Sequence, residues 1–218
     1  MPSETPLSVP IVAVVLAAGY SRRFGAADKR IARLPDGRRL LADTVTRAQE
    51  AFPLLRVVLR EEDDPAALGL PRETPLLRAP RAERGLGASL ADAIAAIAGD
   101  DALADTGAAA ILLGDMPDIA VTPLATLSSQ ADRSRILRPS YAGHPGHPVF
   151  FGRDFWPELA ALNGDDGARD VIRRHRDRYR EIAVEDPGVC RDIDTPAELA
   201  RGATLLIRNG RGTKAPAS

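Results

Sequence analysis

The sequence predicts one α/β domain with a mostly parallel central sheet. Two short apolar runs flank an amphipathic helical stretch, a third apolar run of the same kind follows, and helix-forming segments alternate with strand-like runs along most of the chain. An apolar run without polar alternation reads as a strand covered on both faces, the condition of a central parallel strand. In such folds ligands sit beyond the carboxyl ends of the strands, so the residues that follow each run are the candidates for function.

IVAVVLAA (11–18) is the first strand. LLADTVTRAQEAF (40–52) puts Leu41, Val45, Ala48 and Phe52 on one helical face, and Pro53 stops it. LRVVLR (55–60) completes a strand–helix–strand unit, which requires parallel neighbours. SLADAIAAIAG (89–99) is a helix ending at Gly99, and AAAILLG (108–114) is the third buried strand. TPLATLSSQA (122–131) reads as a helix capped by Thr122 with Pro123 at its first position. HPVFF (147–151) follows as a strand, then DFWPELAAL (154–162) and GARDVIRRH (167–175) as helices. TPAELARGATLLIR (195–208) repeats the Thr-Pro opening, with Glu198 placed for a capping box on Thr195. The domain is expected to span 10–208, with loose polar tails at 1–9 and 209–218.

Composition narrows the class. A chain of 218 residues with 44% hydrophobic and 27% charged residues is ordinary for one large domain. A formal charge of −1 argues against nucleic-acid or membrane partners. Cys190 is the sole cysteine, which excludes an internal disulfide and suits a cytoplasmic location. The run Ile11 to Ala18 is too short to cross a bilayer, and the first residues lack a signal-peptide pattern. The lysines are Lys29 and Lys214 alone, so a lysine in the first strand-end loop stands out.

That loop, AAGYSRRFGAADKR, joins Gly19 and Gly25 to Ser21, Arg22, Arg23, Lys29 and Arg30. Backbone N–H groups and cationic side chains together suit a polyphosphate. It is neither a Walker A loop, since Lys29 lies between Asp28 and Arg30, nor a G-x-G-x-x-G fingerprint. After the third strand, LLGDMPD places Asp115 where a carboxylate reaches the crevice or caps the next turn. Near the C-terminus, CRDIDTPAEL carries Asp192 and Asp194 two residues apart, on one face of an extended segment. Two such carboxylates from distant strands are what Mg²⁺ bound to phosphate needs. RGLGASL (84–90) offers a Gly85–Gly87 pair before Ser89, and GHPGHPVFF (143–151) carries His144 and His147, whose spacing is weak for zinc.

LAAGYSRRFG resembles the opening signature of the nucleotidyltransferases that build nucleotide sugars and related conjugates. With GLGASL, GDMP, GHPVFF, NGDDGARDVI and DIDTPAEL, in order from about 11 to 205, the chain is similar to the MobA-like branch that nucleotidylates molybdenum cofactor, especially the cytidylyltransferase. The resemblance implies a single Rossmann-like three-layer α/β/α domain. It implies Mg²⁺-dependent transfer of CMP from CTP to the molybdopterin phosphate with loss of pyrophosphate, and a passing contact with a molybdoenzyme or its chaperone. By position, Leu16, Ala17, Ala18 and Gly19 would line the base and ribose, with Gly87, Ser89 and Gly114 beside the nucleotide. Arg23 and Lys29 would hold the triphosphate, and Asp115 and Asp194 the metal, so that Arg23, Lys29 and Asp115 form the catalytic set. His147, Asp166 and Arg169 would face the acceptor. Ala18 stands where the guanylyl branch tends to have glycine, which favours CTP. The chain departs from the family in placing Ala26, Ala27 and Asp28 between Gly25 and Lys29, one residue more than usual. It also has Met116 where cytidylyl enzymes often carry glutamine. Two other readings remain open: a same-fold transferase acting on a sugar phosphate or other small phosphorylated acceptor, and a non-catalytic nucleotide-binding regulator or cofactor chaperone.

Overall fold

The computed structural model describes residues 9–20, 24, 28–164 and 167–199. Its strands are β1 (Ile11–Leu16), β2 (Leu54–Leu59), β3 (Leu76–Arg78), β4 (Ala108–Leu113), β5 (Ile136–Tyr141), β6 (His144–Pro145), β7 (Val149–Gly152) and β8 (Tyr179–Ala183). The helices are α1 (Leu40–Ala51), α2 (Leu86–Ala98), α3 (Val121–Ser128), α4 (Trp156–Ala160) and α5 (Arg169–Arg174). The eight strands form one sheet in the order β3-β2-β1-β4-β7-β5-β6, with β8 on β5. Pairs β1–β2, β1–β4, β2–β3 and β5–β8 are parallel; β7 is antiparallel to both β4 and β5. The sheet is therefore mostly parallel, as the sequence predicts.

Alternation along β1 divides the interior into two layers. Ala13, Val15 and Ala17 pack on one face with Leu41, Val45, Ala48 and Phe52, the α1 stripe read from sequence. Val12, Val14 and Leu16 face the other way, onto Leu90, Ile94 and Ile97 of α2 and Trp156 and Leu159 of α4. Val12 through Val15 are 0% exposed, so each valine contributes the roughly 1.5–3 kcal/mol of a fully buried side chain. Among the described residues no helix is long and apolar enough to cross a membrane.

Several boundaries differ from the sequence reading. α2 begins at Leu86, because Gly85 at φ +114° is its N-cap and turns the chain early. Gly87 and Ser89 thus lie inside the first turns. α3 begins at Val121, and Thr122 is not its cap; the N–H of Ala120 is instead taken by Asp186 Oδ2 at 2.8 Å. β7 starts at Val149, after Pro148, which has no N–H to give a ladder. The α4 region opens with a 3-10 turn, Arg153–Phe155, before five α-helical residues. Strand β5 contains Pro139, which argues against a strand in sequence. In the fold the Pro139 carbonyl still accepts from Gly146 N at 2.7 Å. The helix read over 195–208 falls partly outside the described residues.

Candidate active site

Parallel register sets the site. Leu16 of β1 lies opposite Leu113 of β4, so Ala17 and Gly114 leave the sheet side by side. The Gly114 N–H donates to Leu16 O, and the Ala17 N–H to Val58 O, each at 3.0 Å. A Cβ at 114 would meet Leu41 Cδ1, Ala17 Cβ and Leu16 O at 3.0, 3.1 and 3.2 Å. Glycine there is what lets the two exits close on one another. Over them opens a cleft of about 570 Å³.

Leu16, Ala17, Ala18, Gly19, Lys29, Ser89, Gly114, Asp115 and Asp194 all line this cleft, with Asp192 beside them. Arg23 and Asp166 lie outside the described residues. Gly87 is near but turned away: its N–H donates to Gly164 O at 2.9 Å, and a Cβ there would meet that oxygen at 2.8 Å. His147 lines a second, apolar cavity of about 60 Å³ with Ile111, Val149 and Phe151, which shares Leu16, Leu86 and Leu113 with the cleft wall. Arg169 opens α5, and its charge is felt at His147.

Lys29 stands on a 3-10 turn, Lys29–Ile31, capped by Asp28, whose Oδ1 accepts the Arg30 N–H at 3.0 Å. From there its ammonium reaches Asp115 Oδ2 at 2.7 Å and Asp194 Oδ1 at 2.9 Å. Lys29 is 9% exposed, while Asp115 and Asp194 keep 21% and 31% of their side-chain surface, so the pair of acids faces the cleft and the lysine backs it. Burial alone would push the ammonium down; the charges of Asp115 and Asp194 outweigh it and hold Lys29 above its ordinary value. Burial pushes Asp115 up, and Asp192 and Asp194 add to that against the pull of Lys29.

Asp194 is delivered by a returning segment laid along the β4 exit loop. Ile193 N–H donates to Asp115 O at 3.1 Å. Gly188 passes so close that a Cβ would sit 2.2 Å from Asp118 O. The capping box read from sequence then fixes the end: Glu198 Oε2 accepts from Asp194 N and Thr195 N at 2.8 and 2.9 Å, and Glu198 N–H donates to Thr195 Oγ1 at 3.2 Å.

The chemistry of this donor set fits a hard divalent cation. Asp115 Oδ1 is buried with no hydrogen-bond partner, and a second carboxylate is held alongside it. Among the described residues no cluster of three or more His, Cys, Asp or Glu stands ready as a self-sufficient cage. Two carboxylates with the remaining shell left to water and phosphate is the arrangement Mg²⁺ prefers.

The sequence reading missed a second charged cluster behind the loop. Arg30 is not a free cleft cation: Asp63 takes its guanidinium at 2.5 and 2.7 Å, Asp28 takes Nη2 at 2.7 Å, and Ala17 O takes Nη1 at 2.9 Å. The signal was REEDD (60–64) at the end of β2, which sits at the same edge of the sheet.

A Rossmann-like α/β domain whose parallel strand exits gather glycine turns, one ammonium and paired carboxylates is built to hold an anionic ligand beyond the carboxyl ends of its strands. The model of the MobA-like NTP transferase domain matches residues 13–179, and the chain belongs to that family. The chain is similar to the crystal structure of Rv0371c from Mycobacterium tuberculosis H37Rv, with TM-score 0.77 and 30% identity over 91% of this chain and 99% of that one. A manganese complex of Rv0371c from the same organism gives 0.73 and 27%, over 89% and 98%. Purine catabolism protein PucB of Bacillus subtilis is 28% identical over 201 residues, 86% of this chain and 93% of that protein.

Proposed function

We propose that the protein transfers CMP from CTP to the terminal phosphate of molybdopterin and releases pyrophosphate, with Mg²⁺ held by Asp115 and Asp194. The observation that carries this reading is the Lys29 ammonium between those two carboxylates at the joined exits of β1 and β4. Membership of the MobA-like family supports nucleotidyl transfer, and Ala18 supports cytidine over guanosine.

Both reactants are anions, so bringing them together is the main obstacle. An oxygen of the acceptor phosphate attacks the α-phosphorus in line, and the bond from that phosphorus to the bridging oxygen of pyrophosphate breaks. The cation would supply neutralisation of charge on the triphosphate. Lys29, once the triphosphate enters, exchanges a carboxylate for phosphate oxygens and orients the leaving group; Arg23 shares that task. Gly19 and Ser89 bound the nucleotide within the cleft. The acceptor phosphate is ionised at neutral pH, so no general base is required. By the family resemblance His147 and Arg169 would face the acceptor, His147 from the small apolar cavity that shares Leu16, Leu86 and Leu113 with the cleft wall.

The test is pyrophosphate release from each of CTP, GTP, UTP and ATP with molybdopterin, and from CTP with a panel of sugar phosphates. Turnover restricted to CTP and molybdopterin is the expected result. Turnover with a sugar phosphate and none with molybdopterin would reassign the acceptor, and tight CTP binding without product from any acceptor would make the protein a nucleotide-binding regulator.

A further inference from the structure

Two consecutive peptides at the cleft rim are held from behind by one side chain. Arg60, at the end of β2, donates from Nε to Ala18 O at 3.0 Å and from Nη2 to Gly19 O. Arg60 is itself braced: its N–H donates to Asp63 Oδ2 at 2.9 Å, and Arg78 Nη1 donates to Arg60 O and Asp63 O at 2.7 and 2.9 Å. Its guanidinium also lies 4.0 Å from the ring centroid of Tyr20, a residue 45% exposed. Ala18, Gly19 and Tyr20 line the cleft, whereas Arg60 stands outside it. In a trans peptide the N–H points opposite to the carbonyl. With both carbonyls turned back to Arg60, the N–H groups of Gly19 and Tyr20 are turned toward the cleft. Among the described residues neither donates to a protein acceptor.

We propose that Arg60 is a specificity-determining positioning residue, which makes this stretch of the rim a donor-only surface for the bound nucleoside triphosphate. The inference rests on the nucleotide-transfer reading above. A donor-only rim accepts a base edge or ribose group that presents a carbonyl oxygen, ring nitrogen or hydroxyl lone pair. It disfavours any pose that turns an exocyclic amino group toward these N–H groups, so a bound cytosine would present its O2 or N3 to them and keep its amino group elsewhere. Without Arg60 the two peptides are free to turn a carbonyl inward, and an amino edge then finds a partner.

The experiment is equilibrium binding of CTP, UTP, GTP and ATP to the full chain as wild type, R60M and R60K, with circular dichroism as the check on folding. R60M is expected to bind the preferred nucleotide about tenfold more weakly, the scale of losing charge-assisted hydrogen bonds. The others should change less, so that the ranking flattens. R60K, able to reach one carbonyl rather than two, should fall between. A merely structural role would weaken all four nucleotides by one common factor and keep the ranking; that result, or no change, overturns the inference. If R60M fails to fold, an unflattened ranking in R60K overturns it equally. Wild-type protein that binds none of the four would overturn the nucleotide-transfer reading and this inference with it; selective binding by wild type leaves the former standing whatever the variants show.

Discussion

Lys29 serves as the internal counter-ion of Asp115 and Asp194. Its replacement by a neutral side chain of similar reach, Lys29→Met, removes that charge and leaves Asp115 and Asp194 facing one another. The expected outcome is tighter Mn²⁺ binding in the absence of nucleotide, read by electron paramagnetic resonance, together with a loss of pyrophosphate release. The same change should lower stability by about 1–3 kcal/mol, less than for a fully buried pair because both acids still touch water. Asp115→Asn tests the opposite member: pyrophosphate release should vanish while the circular dichroism spectrum stays that of the wild type. His147 reports on pH. Burial pushes its imidazole down to about 4, with Arg138 and Arg169 adding to the effect against the Ile111 backbone carbonyl. Its folded value thus lies below the 6.5 of the open chain, so the stabilisation is complete above pH 6.5 and drains away as pH falls toward 4. That drop is worth on the order of 3 kcal/mol. In denaturant titrations the acid limb of wild-type stability should flatten in His147→Gln.

At the scale of elements, the returning segment from Asp186 to Glu198 decides whether the acids meet. Its capping box was legible because a capping box is local: Thr195 and Glu198 are three residues apart, and the pattern needs nothing else. The same Thr-Pro opening at Thr122 misled, because α3 starts one residue earlier behind Ala120, whose N–H goes to Asp186, and no local pattern records a distant carboxylate. Glu198→Ala should lower the melting temperature, because the N–H groups of Asp194 and Thr195 lose their acceptor. It should also lower kcat for pyrophosphate release, since Asp194 N–H loses its acceptor. A change of stability with an unaltered kcat would show that the segment holds Asp194 without the box. The strands β3 and β8 were not legible at all. β3 has three half-buried residues, and β8 (YREIA) is a charged edge whose pairing with β5 comes from register rather than from any apolar run.

Across the whole molecule, what could be read in advance was the logic of parallel strand ends. Apolar runs located β1 and β4, and the residues just beyond them, Gly19 and Asp115, line the cleft. Arg60 and Asp63 obey the same rule at the end of β2 and were overlooked, because surface-like charge gives no hint that a guanidinium will be turned onto backbone carbonyls. The interior lies in two layers, one on each face of the sheet, and Phe150 belongs to the α1 side. Phe150, 1% exposed and 6.1 Å from the Phe52 ring, is a fair probe of it: Phe150→Ala should cost about 3–5 kcal/mol, a fall of roughly 10 °C in Tm. Chain order adds one further consequence. Lys29 and Asp115 are translated long before Asp194, which arrives only after the last strand of the sheet, β8. A nascent polypeptide can therefore complete its entire sheet and still lack half of its acidic pair. Proteolytic nicking between Ala183 and Asp194 would leave that carboxylate tied to the sheet through noncovalent contacts alone, among them the Ile193 N–H on Asp115 O.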